Sequence, residues 1–236
     1  MQLRDFRLKK SFLSSPLEVE NFYFALFIFV LFVGLSIFDW SRAIPLKSAF
    51  SVSGEEVFDQ GQVWRLFTAI FAHANWEHLL GNAIFFVPFA TFIKNYFGFF
   101  VFPILILASG GLINLLVIYF YPKDASLLGV SGVVYFMVAF WLVLYIGIER
   151  GLSLRQKILR SLGLVLIEFM PQKYDVSTSY LSHGIGFVLG IFFGFVYFWI
   201  NQNKFRGHEV WELIEPELVL EVSHPTRVEA ENDSDQ

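Results

Sequence analysis

The sequence contains no cysteine. That excludes a disulfide framework and thiol catalysis, and it leaves the compartment open. Charge is scarce as well: only 16% of the 236 residues are Asp, Glu, Lys or Arg, against 56% hydrophobic. A soluble domain of this size carries more surface charge, so the implied solvent for most of the chain is a lipid bilayer. No basic block is present, which argues against a nucleic-acid partner. The first apolar run ends at Asp39 without an A-x-A-like cleavage pattern. It therefore reads as an uncleaved span rather than a signal peptide.

The charge that is present is segregated. Residues 201–236 hold nine acids against three bases. This predicts residues 204–236 to be an acidic tail, largely disordered, whose removal from Arg206 onward should spare activity. Between the charges lie long apolar gaps. Asn21–Phe38, Asn95–Pro122, Ala125–Ile148 and Val176–Asn203 are uncharged, and Leu66–Ile93 contains only Glu77. Each is long enough to cross a hydrocarbon core of about 30 Å at about 1.5 Å per helical residue. A sixth stretch, about Leu159–Pro171, is interrupted by Arg160 and Glu168. It reads as a span, with an interfacial amphipathic helix over Leu154–Met170 as the alternative.

Six spans put both termini on one side, and basic residues choose the side. With the N-terminus inside, inner segments hold Arg4, Arg7, Lys9, Lys10, Lys94, Arg150, Arg155, Lys157, Arg160, Lys204 and Arg206. Outer segments hold Arg42, Lys47, Arg65, Lys123 and Lys173. The expectation is a multi-pass protein of the inner or plasma membrane with both termini cytoplasmic. Residues 1–20 form an N-terminal segment, 21–203 the membrane domain, and Ser41–Trp64 a long outer loop.

Polar side chains inside spans are costly and tend to mark function. The second span reads FAHANWEHLLGNAIFF. His78 and Asn82 share one helical face, four residues apart. His73 lies about 140° around from His78, a poor zinc clamp, and no metal is expected. The fourth span carries Gly129-Val130-Ser131-Gly132, and the sixth carries His183 ahead of Gly186, Gly190 and Gly194. Taken singly, each set has an ordinary reading. Interhelical hydrogen bonds contribute about 0.6–2 kcal/mol, and small residues or GxxxG stripes serve helix contacts. Depth joins them. Ser131 is seven residues after Asp124 and His183 eight after Asp175, so helical rise puts both about 10 Å below the outer boundary. One layer then holds a nucleophile candidate, a base candidate and two neutral donors. Serine needs such a base, and the tetrahedral oxyanion needs such donors. No acid lies at this depth to orient His183, which makes a dyad rather than a triad.

These residues resemble the rhomboid family of intramembrane serine proteases. The matching pieces, in order, are Trp64-Arg65, His73-x4-His78-x3-Asn82, Gly129-x-Ser131-Gly132, Tyr135, and His183 followed by Gly186 and Gly190. They cover about residues 20–200. The resemblance implies an all-α bundle of six transmembrane helices that cuts peptide bonds in or near the transmembrane segments of other proteins, with no cofactor. It implies Ser131 as nucleophile and His183 as general base. His78, Asn82 and the Ser131 N–H become oxyanion donors. It further implies that Tyr135 stacks on His183, that His73 helps build a water-holding cavity, and that the span-six glycines hold it against span four. Trp64-Arg65 takes a structural role in the outer loop. Ser182 departs from the family's usual alanine, and the fifth span is unusually polar. A non-catalytic rhomboid-like binder of transmembrane helices is the alternative, against which the intact Ser131/His183 pair argues. A transporter or channel would show paired acids, whereas Glu77 and Glu168 are isolated.

Overall fold

A computed structural model describes residues 6–41, 50–169 and 179–213. Arg4, Arg42, Lys47, Lys173, Asp175 and the tail beyond Leu213 lie outside the described residues. Strand β1 (Phe6–Lys10) is followed by helix α1 (Val19–Trp40), the short α2 (Arg65–Thr68), α3 (Trp76–Phe97) and α4 (Ile106–Phe120). Then come α5 (Ser131–Ile148), α6 (Leu154–Phe169), α7 (Tyr180–Gly207) and strand β2 (Val210–Leu213). Among the described residues, five helices are long and apolar enough to cross a membrane: α1, α3, α4 with its preceding turn from Phe100, α5 and α7.

The helices alternate in direction. His78 at the start of α3 lies against Gly129 just ahead of α5, and Tyr135 of α5 stacks on His183 of α7. At their other ends, Phe97 packs against Phe140 and Tyr197. So α3, α5 and α7 all start at one end of the bundle. Helix α1 runs the opposite way, with Trp40 beside Trp76 and Asn21 bonded to Asn95. Helix α4 ends where α7 begins, with Tyr121 Oη 3.0 Å from Ser179 Oγ.

Parallel packing of α5 and α7 has a topological consequence. The chain between Ile148 and Tyr180 must return across the bundle, and α6 lies within that stretch. Helix α6 starts beside the end of α5, where Lys157 Nζ donates to Ile146 O at 2.7 Å. Its 16 residues span about 24 Å, short of a full hydrocarbon core. It has nearly the bounds of the amphipathic alternative and the connectivity of a return crossing. Of its charges, Lys157 is buried with its ammonium on a carbonyl, while Arg160 is exposed.

Helix α5 is the centre, with 61% of its apolar window buried against 17% for α7 and 28% for α1. Phe32, Phe86, Phe102, Phe136 and Phe140 are among the largest fully buried side chains. The membrane-embedded fold is all-helical. One feature outside it was not expected: β1 and β2 pair antiparallel, Phe6 opposite Leu213. Helix α7 continues to Gly207, and Glu209 and Glu212 are ion-paired to Arg150 and to Arg7 and Lys9. Two of the acids that read as tail composition, Glu209 and Glu212, are thus partners of bases elsewhere in the chain.

Candidate active site

Two loops frame the site. The loop between α1 and α2 is held by Arg65, whose Nη1 donates to Ser51 O at 2.8 Å and lies 3.6 Å from a Glu56 carboxylate oxygen. Glu56 is buried and accepts from Ser53 Oγ at 2.9 Å. Trp64, beside Arg65, is exposed. The pair thus sits in the loop scaffold. That loop is tied to the loop before α5 through the Val52–Leu127 bridge and by the Glu55 N–H donating to Lys123 O at 2.9 Å.

Ser131 is the first residue of α5. The first N–H groups of a helix have no intrahelical acceptor, and the dipole there is positive. Ser131 therefore stands where a developing negative charge would be favoured. The preceding turn needs glycine: Gly129 has φ +115°, and a Cβ there would stand 2.6 Å from His78 Cε1. Its N–H donates to Ala69 O at 2.8 Å. Because residues before Ser131 are not helical, the depth arithmetic of about 1.5 Å per residue from Asp124 does not hold. What brings the layer together is contact between helices.

His183 is the fourth residue of α7, after the capping Ser179 that accepts from Ser182 N–H. Its ring stacks on Tyr135 at 4.2 Å between centroids and 12° between planes. Tyr135 is one turn along α5 from Ser131. The close approach is set by glycine. A Cβ at Gly186 would overlap the Gly132 carbonyl oxygen, and one at Gly190 the Phe136 carbonyl oxygen. A Cβ at Gly194 would stand 3.1 Å from Phe140 O. These partners advance by four on both helices, so the stripe packs on the α5 backbone along its length. Gly132 faces the Ser182 side chain in the same way.

His78 belongs to the first turn of α3, its N–H donating to the capping Asn75 Oδ1 at 2.8 Å. Its ring reaches the Gly129 turn. Asn82, one turn on, is buried and donates from Nδ2 to His78 O at 2.8 Å. That bond uses one amide hydrogen and leaves a second. His73 lies in the connection before α3, fully buried, its ring 5.2 Å from that of His78. Ser131, His183, His78 and Tyr135 are half-buried, so the cluster is reachable from the end of the bundle where α3, α5 and α7 start.

The structure thus brings Gly132 and Tyr135 of α5 against Gly186 and His183 of α7, with Ser131 one residue before Gly132, and brings Gly129 against His78 with His73 beside it. Trp64 and Arg65 lie apart from both. Sequence reasoning passed over Ser36, Asn75 and Ser179. The last two had a legible signal, a capping residue three positions ahead of His78 or Ser182. Ser36 had none. No curated protein matches the chain. The model of the rhomboid domain matches residues 60–200, a stretch that includes every residue of this cluster. The chain is a multi-pass membrane protein that belongs to the rhomboid family.

Proposed function

We propose that this protein is a serine endopeptidase that cleaves peptide bonds in or near transmembrane segments of other membrane proteins. The observation that carries the reading is the stacked Tyr135–His183 pair one turn from Ser131. A ring held one turn from the Ser131 hydroxyl supports His183 as the base that serves it. Ser131 Oγ attacks the scissile carbonyl while His183 takes its proton. The oxyanion forms at the α5 N-terminus, receiving the Ser131 N–H, with His78 and Asn82 donating from α3. His183 then returns the proton to the leaving amine, and water hydrolyses the acyl-enzyme by the same relay. His73 backs the cavity, and Gly129 and Gly132 leave room for the substrate carbonyl. With more bases at the Lys94, Arg150 and Lys204 end, that end is cytoplasmic and the site opens outward.

The test is cleavage of a model transmembrane substrate in reconstituted vesicles. Ser131→Ala is expected to lower kcat by about four orders of magnitude or more at normal expression, as loss of a serine nucleophile does elsewhere. His183→Ala is expected to behave likewise. Undiminished cleavage by Ser131→Ala would overturn Ser131 as the nucleophile, and a wild type that cleaves nothing would leave the non-catalytic helix binder as the reading.

A further inference from the structure

We infer that Ser36 of α1, acting through His73, is a positioning residue for the nucleophile turn. This inference rests on the proposed protease reading for its kinetic consequence, and on geometry alone for its structural one.

The Val130 N–H, one residue before Ser131, points at His73 Nε2 across 3.5 Å. A backbone N–H can only donate, so Nε2 is the acceptor and carries no proton. The neutral ring then holds its hydrogen on Nδ1. Nδ1 faces Ser36 Oγ at 3.3 Å, and both residues are fully buried. Ser36 therefore accepts from Nδ1–H and gives a buried partner to the tautomer that leaves Nε2 free to hold Val130. The same helix grips the backbone of His73: Trp40 Nε1–H donates to His73 O at 2.7 Å. Phe32 lies against the ring at 6.1 Å.

The nucleophile turn is thus held at two successive amides, Gly129 by Ala69 O and Val130 by His73. The second hold is long and depends on a ring state whose Nδ1–H finds its partner on α1. Without Ser36, the buried Nδ1–H loses its partner, the other tautomer becomes favourable, and Nε2–H then opposes Val130 N–H. Ser131 loses its register against His183. The part α1 takes in the site is thus to hold the ring and backbone of His73.

The experiment uses the full-length protein in vesicles, with Ser36→Ala, Ser36→Thr, His73→Leu and His73→Gln. Glutamine keeps one acceptor and one donor, and threonine keeps the hydroxyl. Misplacement near an angstrom costs up to about 100-fold, so we expect kcat to fall about 10-fold or more in His73→Leu and about 3- to 10-fold in Ser36→Ala, with KM within about 2-fold. Ser36→Thr and His73→Gln should recover most of the loss. Hydrogen exchange of the peptide covering Leu127–Val134 should quicken in Ser36→Ala and His73→Leu while the α5 peptides beyond it hold. Unchanged kcat and exchange in Ser36→Ala overturns the inference, as does a loss that Ser36→Thr fails to rescue. Where His73→Leu fails to fold, the Ser36 pair decides. The exchange arm needs no activity: a wild type that cleaves nothing defeats the protease reading, and Leu127–Val134 exchange still decides the role of Ser36.

Discussion

The two ends of α7 are built on different principles. At its start, the contact with α5 is made by glycines against carbonyl oxygens, and the nearby polar groups are few, half-buried and uncharged. At its end, Phe205 packs among Phe12, Phe97 and Phe198. There the chain turns into β2, and charges pair: Arg7 and Lys9 with Glu212 in the open, and Arg150 with a largely buried Glu209. Arg150 also lies over the Trp211 ring. Close backbone contact leaves no room for error, which suits a site whose groups must meet at fixed distance. Exposed ion pairs and a two-stranded ribbon tolerate change, because each pair contributes little and solvent screens it. The first end positions and the second anchors.

The sharpest way to break this contrast is to place a large side chain in the glycine stripe. Gly186→Leu should abolish cleavage, since the branched chain meets the Gly132 backbone. Overpacking typically costs about 1–3 kcal/mol, so unfolding on heating should also come earlier. A Gly186→Leu protein with normal activity would show that α7 does not depend on that approach. Next in size is the aromatic support of the base. Aromatic stacking contributes about 0.5–1.5 kcal/mol, so Tyr135→Ala should cost up to about 10-fold in kcat while Tyr135→Phe stays near wild type. Equal losses in both would make the hydroxyl, not the ring, the working part.

The opposite end should respond more weakly. Ending the chain at Gly207 removes β2 and its ion pairs, and should lower the unfolding temperature by about 2–4 °C for each kcal/mol of ribbon stability lost. Cleavage at 25 °C should change less than in either substitution above. Ending it at Leu213 instead should leave both unchanged, so the cut that isolates the tail lies there and not at Arg206. Smallest is the acid response. Hydrogen bonds from Lys9 and Arg7 hold the Glu212 carboxyl below its ordinary range. Its folded-state pKa is thus depressed, so its contribution is full above the ordinary carboxylate value and is lost as pH falls through the lowered one. Hydrogen exchange across Phe6–Lys10 should quicken only in that acid window, and Glu212→Gln should remove the dependence.

The sequence was informative at the two ends to different degrees, for physical reasons. Ser131, His183, His78 and the glycine stripe were legible because hydroxyls, imidazoles and regularly spaced glycines stand out in apolar spans. The helices of the fold were legible as gaps between charges. Helix α6 was ambiguous because Arg160 and Glu168 interrupt its apolar run and its 16 residues fall short of a full span. The ribbon was invisible: its strands have five and four residues and their paired charges lie 205 positions apart. Ser36 was hidden for another reason. A lone serine in an apolar helix looks like packing until the ring across from it is known to hold Val130.

Labelling with a serine-reactive fluorophosphonate tests the central claim most directly, because it reads the nucleophile without needing the natural substrate. Wild-type protein in vesicles should be labelled at Ser131. Ser131→Ala should show none, and His183→Ala should show little, since the hydroxyl then lacks its base. Equal labelling of wild type and Ser131→Ala, or a wild type that cleaves a transmembrane substrate while Ser131 stays unlabelled, would contradict the account.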